Sequence, residues 1–206
     1  MKLKKILITL GLLVAAIPSV NAQDVNIKTN LLYDALLSPT LGVEFGLAPK
    51  WSMDISGTIN AWTVDERKWK QWMVQPEARY WFCQRFSGHF LGMHVLGGQY
   101  NFGNFGQLES HPWRQAQDKR VMFLGTNLGE LWNRRLQGWF VGAGVAYGYT
   151  WILDRHWSFE AEIGLGWIYT RFDKFKCSGC GAKVEPDKVH NYVGPTKAAL
   201  NIIYVF

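Results

Sequence analysis

Hydrophobic and polar positions alternate with a period of two through most of this chain. A strand sends successive side chains to opposite faces, so this alternation predicts strands with one apolar face each. The clearest run is 51–61. There Trp51, Met53, Ile55, Gly57, Ile59 and Ala61 oppose Ser52, Asp54, Ser56, Thr58 and Asn60. Eight segments read in this way: 26–35, 40–47, 51–61, 72–82, 89–102, 139–153, 157–172 and 197–206. Pro76 removes one ladder donor from the fourth and counts against a regular central strand there. The charged stretch 62–71 predicts a loop. Within the long stretch 103–138, residues 127–136 predict a short helix.

The connections alternate as well. Turns near Pro49, Arg85 and Arg155 are short, whereas 62–71, 103–138 and 176–193 are longer. An up-and-down barrel with short periplasmic turns and longer outer loops has this arrangement. Segments of about ten residues match a tilted span of a bilayer core. Only helices and closed barrels satisfy every backbone group in lipid. No stretch after residue 22 approaches 18 consecutive apolar residues, so a spanning helix is not expected there.

The two faces separate a membrane barrel from a soluble one. A soluble barrel turns its apolar face inward. Here the polar face carries Gly42, Gly46, Gly92, Gly98, Gly142, Gly144, Gly148, Gly164 and Gly166, with few lysines, as a crowded lumen requires. The apolar face is nearly free of charge. Its aromatics bunch at the segment ends: Trp51, Phe82, Trp151, Trp157 and Tyr204 near the short turns, Trp62, Trp72, Trp139 and Tyr169 near the long loops. The expected fold is therefore all-β, an eight-stranded antiparallel up-and-down outer-membrane β-barrel.

The first 22 residues read as a secretory leader: Lys2, Lys4 and Lys5, an apolar run, then Val20-Asn21-Ala22 at the cut. Residues 23–206 are then one barrel domain of 206 − 22 = 184 residues. The leader takes three lysines with it, so the formal charge falls from +6 to +3. Nucleic acid is not implied. The 11 Trp, 8 Tyr and 12 Phe suit two interfacial girdles. The location expected is the outer membrane of a Gram-negative bacterium, with outer-membrane lipid as a partner.

Cys177 and Cys180 are separated by two residues in an exported chain. They can close a local disulfide or supply half of a metal site. A zinc site normally needs four ligands, and only His190 is near in sequence, so the disulfide is expected. Cys83 is then left over.

The charges on the expected inner face are Lys28, Glu44, Asp54, Glu77, Arg79, Glu160, Glu162 and Lys197. Carboxylates at that density also suit acid–base catalysis. An eight-stranded barrel, however, is just wide enough to be filled by side chains, and buried charges there must pair. A plug of salt bridges is expected, with a small-solute pore as the alternative. Glu109, Ser110 and His111 contain the residue types of a hydrolytic triad, but adjacency in sequence does not build one. No Gly-x-Ser-x-Gly elbow and no His–Glu metal motif occurs, so no catalytic residue, cofactor or metal is expected.

Two resemblances add to this reading. Leu200, Ile202, Tyr204 and Phe206 form one face of a last strand that ends on an aromatic. It resembles the closing strand of outer-membrane barrels, which implies that the barrel assembly machinery reads it. Residues 28–34, 147–153, 157–166, 173–181 and 191–200, with the cysteine pair and then Gly194-Pro-Thr-Lys197, resemble a family of unknown function from Bacteroidota-type bacteria. Its members are small outer-membrane barrels often encoded beside fimbrillins. The resemblance implies a non-enzymatic part in assembling or anchoring a surface structure, with fimbrial or other surface proteins as partners. It carries no catalytic residues. A lipid A-modifying enzyme is the weakest reading.

Overall fold

Alternation in sequence reappears as alternation in burial: in the first strand Asn26, Lys28 and Asn30 are buried while Ile27 is exposed. The computed structural model describes residues 25–64, 67–103, 122–123, 126–127, 135–175 and 183–206. The elements are β1 (Val25–Asn30), α1 (Leu31–Ala35), β2 (Thr40–Ala48), β3 (Trp51–Val64), β4 (Arg67–Trp81) and β5 (Gly88–Gly103). A small ribbon, β6 (Met122–Phe123) and β7 (Thr126–Asn127), precedes β8 (Arg135–Ile152), β9 (Trp157–Phe175) and β10 (Lys183–Val205). Eight of the strands form a closed antiparallel barrel in the order β1–β10–β9–β8–β5–β4–β3–β2. Strand β1 then pairs with β2 and shuts the ring.

The strands are staggered. Paired positions followed round the ring from Asn26 pass through Glu44, Asp54, Glu77, His94, Gly144 and Gly166 to Gly194. Asn26 itself pairs with Val205. The offset along β10 between Gly194 and Val205 is the shear that makes barrel strands tilt.

The outer surface is aliphatic across its middle. Met93, Val145 and Ile163 are 60–61 % exposed, and Leu41, Ile55, Val95 and Leu165 are exposed beside them. Aromatics sit at the two ends of this band. At the short-turn end Trp157 meets Tyr204 with ring centroids 5.2 Å apart, and Tyr204 meets Phe206 at 5.1 Å. At the other end Trp139 meets Tyr169 at 5.7 Å.

Several expectations need correction. The segment 26–35 is not one strand. Pairing stops at Asn30, whose side chain caps α1 by accepting the Leu32 N–H at 3.1 Å. Asp34 then accepts from Thr40 N–H at 3.0 Å and stabilises the return to β2. The stretch 62–71 is not a loop, because β3 continues to Val64 and β4 starts at Arg67. The ladder joins backbone groups, so a run of charged residues does not by itself oppose a strand. Asn127 belongs to β7, and Arg135 and Leu136 to β8, rather than to a helix. The last strand starts at Lys183, well before residue 197, and absorbs most of the expected loop 176–193. Register shifts between Lys183 and Glu185, Glu185 and Lys188, and Pro195 and Lys197 break its period, which hides the strand from a period-two reading. Pro76 does interrupt a ladder: β4–β5 pairing skips from Val74↔Gly97 to Glu77↔His94. The expected leader 1–22, the Glu109-Ser110-His111 set and both Cys177 and Cys180 lie outside the described residues.

Candidate functional site

The inward positions of six strands bring their charges to one level of the lumen. Lys28 comes from β1, Glu44 from β2, Asp54 from β3, Glu77 and Arg79 from β4, Glu160 and Glu162 from β9, and Lys197 from β10. All eight are at most 7 % exposed. The residues predicted for the lumen therefore share one site. Glu44, Asp54, Glu77 and His94 lie side by side along a single row of paired positions.

Arg79 is the hub. Its Nε lies 2.6 Å from Glu77, its Nη1 2.9 Å from Glu160 and 3.2 Å from Glu44, and its Nη2 2.8 Å from Glu162 and 3.5 Å from Asp54. A guanidinium offers five N–H donors in a planar fork, which suits it to several carboxylates at once. Lys28 Nζ sits 2.6 Å from Glu44 and 3.4 Å from Asp54. Lys197 Nζ sits 2.8 Å from Glu77 and 3.1 Å from Glu162. Five carboxylates thus share three cations.

Further groups complete the layer. Ser52 Oγ donates to Glu44 at 2.5 Å, Thr150 Oγ1 to Glu160 at 3.1 Å and Asn201 Nδ2 to Glu160 at 2.7 Å. His94 Nδ1 is 3.5 Å from Glu77, and its Nε2 is 2.9 Å from Thr196 Oγ1. Ser52, His94, Thr150 and Asn201 were legible as inward residues by parity, but nothing in the sequence said which would meet a carboxylate, and Thr196 is turned inward only by the register shift between Pro195 and Lys197. Glycine makes room for the network: a Cβ at Gly92 would lie 2.7 Å from the Glu77 carboxyl, and one at Gly42 2.7 Å from Lys28 Cγ.

Below the charges lies an aromatic floor. Trp81 and Phe90 are wholly buried, with ring centroids 4.8 Å apart, and the Arg79 guanidinium stands 4.4 Å over the Phe90 ring. Trp81 Nε1 donates to Ser52 at 2.8 Å and joins floor to network. Above the charges, Lys28, Asp54, Gln75 and Lys197 border a cavity of about 20 Å³, room for a single water.

Higher still the lumen widens into a cup of about 670 Å³. Asn60, Gln71, Tyr100, Gly138 and Phe172 line it from inward positions. At its rim Arg171 reaches Asp187 at 3.0 Å and Lys183 reaches Asp173 at 2.7 Å. The Lys183 ammonium and the Asp187 N–H hold the Asp173 carboxyl below its ordinary range.

Among the described residues no cluster of three or more His, Cys, Asp or Glu is arranged to hold a metal ion. Cys83, in the turn after β4, is an exposed free thiol. Leu200, Ile202 and Tyr204 face outward from β10, and Phe206 follows the strand's end at 51 % exposure.

Residues 8–206 match the model of a family described as "Protein of unknown function (DUF3575)". The chain belongs to that family. No curated protein matches it.

Proposed function

We propose, for this member of a family whose function is unknown, a non-enzymatic outer-membrane barrel that acts as a scaffold, presenting its outer loops for assembly or anchoring of a surface structure. The observation that carries this reading is the inverted solvation of the wall. Charged side chains fill the interior, while the outer middle is aliphatic between two aromatic rings. In water such a band would be a liability far larger than the apolar patches monomers tolerate. In a bilayer it is the required surface.

The scaffold role follows from the lumen. A passage for solutes needs a wet, continuous path, and the charge layer over the Trp81–Phe90 floor opposes one. A role among fimbrial or other surface proteins rests on the family resemblance and the outward-facing loops. The chain would be exported by its leader and inserted by the barrel assembly machinery.

Two measurements test the reading. Planar bilayers containing the purified barrel should stay electrically silent, and steady ionic current would promote the pore. A tag inserted at Gln115 should be labelled on intact cells. Labelling only after permeabilisation would reverse the topology.

A further inference from the structure

The buried charge layer does not balance. Lys28, Arg79 and Lys197 bring three positive charges, while Glu44, Asp54, Glu77, Glu160 and Glu162 bring five negative ones. The other described elements packed round it add no fixed charge at this level. Strand β8 contributes Thr150, β5 contributes His94, and Tyr33 of α1 borders the small cavity above. Arg85 stands half-buried beside Gly46 at the lower mouth and donates to Ala48 O at 3.2 Å. Even counted in, it leaves the described layer one charge short.

The carboxylates are not equally held. Glu44, Glu77 and Glu160 each have a cation at 2.6–2.9 Å, and Ser52, Thr150 and Asn201 add donors to Glu44 and Glu160. The nearest cation to Asp54 is Lys28, at 3.4 Å. Asp54 and Glu162 also lean on the same two groups: Arg79 Nη2 at 3.5 and 2.8 Å, and Lys197 Nζ at 3.9 and 3.1 Å. One buried oxygen of each, Asp54 Oδ1 and Glu162 Oε1, makes no hydrogen bond.

His94 presents a second opening. Its buried Nδ1 also makes no hydrogen bond and lies 3.5 Å from Glu77 Oε2, while Nε2 is 2.9 Å from Thr196 Oγ1. A protonated imidazole donates from both nitrogens, and here both face an acceptor.

A metal ion supplies the missing charge poorly. The cavity that Asp54 and Gln75 border has room for a single water, and Lys28 and Lys197 border it too, so an ion there would meet two like charges. A proton needs no coordination shell. Full burial can hold one on a carboxyl about 3–5 pH units past its ordinary range, which reaches neutral pH from the usual value of about 4.

We propose that the charge layer is a proton-binding site, which at neutral pH retains two protons, one on the His94 ring against Glu77 and one shared by the Asp54 and Glu162 carboxyls. The inference stands on the burial of the layer, whatever the outer loops assemble. An unfolded chain has released both protons at that pH, so folding takes them up. By linkage the folded barrel loses stability as the pH rises, until the protons leave it.

The purified barrel in detergent micelles, unfolded in urea and followed by heat-modifiable gel mobility, tests this. From about pH 7.5 to 8.5 the wild-type unfolding constant should rise about a hundredfold, tenfold for each proton released. Glu162→Gln replaces an acid with a neutral amide, so its rise should drop to about tenfold, whereas Asp173→Asn at the rim should keep the wild-type slope. Infrared spectra of the folded wild type at neutral pH should show a carboxylic-acid carbonyl band that shifts in heavy water and is gone in Glu162→Gln. A wild-type equilibrium indifferent to pH overturns the proposal even where the variant misfolds. So does a folded wild type without the acid band, or a band that survives in folded Glu162→Gln. A wild-type midpoint that follows sodium or potassium concentration at fixed pH gives the missing charge to a metal cation and overturns it as well.

Discussion

Two ion pairs of nearly equal length sit in the two halves of this barrel. Arg79 lies 2.9 Å from Glu160 in the lower half, where both side chains are fully buried. Arg171 lies 3.0 Å from Asp187 at the upper rim, where they are 47 % and 66 % exposed. In the lower half each strand has two neighbours and the lumen is filled. In the upper half β1 and β2 are gone and the lumen is a cup. Distance therefore says little about what a pair contributes. An exposed pair exchanges water for a partner at nearly equal free energy. A buried one cannot lose its partner without stranding a charge.

The comparison can be broken most forcefully at the hub. Arg79→Ala leaves five carboxylates around two lysines, and stranding buried charge costs about 3–5 kcal/mol. The urea midpoint of the barrel in detergent, followed by gel mobility, should fall sharply. Arg171→Ala in the same assay should leave it in place. Equal shifts for the two variants would erase the distinction between the halves.

A smaller effect is expected at the lower rim. Deleting Phe206 removes its edge-on contact with Tyr204, worth about 0.5–1.5 kcal/mol. It should also reduce the amount of heat-modifiable barrel that reaches the outer membrane in cells. Normal levels of that form would count against the terminal aromatic as an assembly signal.

Glu162→Gln sharpens the comparison from inside the charge layer. Carboxylates outnumber cations there, and glutamine keeps an acceptor facing Arg79 and Lys197. The midpoint should move by less than about 1 kcal/mol in either direction. A loss as large as that of Arg79→Ala would mean that every carboxylate in the layer is needed ionised.

The smallest effect belongs to the rim. Because the Asp173 carboxyl titrates below its ordinary range, its contribution is present above the usual Asp pKa of about 3.9. It disappears as the pH falls through the lowered folded value. Amides 183–190 should therefore lose hydrogen-exchange protection, corrected for intrinsic rates, at the acid end, while the global midpoint at neutral pH is indifferent to Asp173→Asn. Protection that ignores acid would show that Lys183 and Asp173 contribute nothing to this hairpin.

The lower half was the legible half. Period-two alternation assigned Lys28, Glu44, Asp54, Glu77, Arg79, Glu160, Glu162 and Lys197 to one face, and the structure brings all eight together. Parity identifies the face but not the neighbours. That Asp54 stands beside Glu77, and Glu77 beside His94, depends on register, which pairs residues far apart in sequence. The upper half was misread for two physical reasons. Where charge occupies both parities, as Glu66, Arg67, Lys68 and Lys70 do in 62–71, polarity no longer alternates. Where bulges reset the period, as in β10, alternation loses phase. The early end of β1 was not legible at all, since Asn30 diverts the chain into a helix that a run of Leu31, Tyr33 and Ala35 had disguised as strand.

The join between β1 and β10 has a mechanical consequence. A ring of eight strands is a hoop with one seam, the ladder that joins the first strand to the last, and it runs only from Asn26↔Val205 to Asn30↔Asn201. Bringing together such distant residues makes it a late step in closure. Yet the seam is clasped from within. Lys28 on one side reaches Glu160 across β10 at 3.8 Å, and Asn201 on the other grips the same carboxylate at 2.7 Å. Prising the hoop apart must unfasten that clasp before any water arrives to replace it. The force needed to open the barrel is therefore set less by the short ladder than by three side chains behind it.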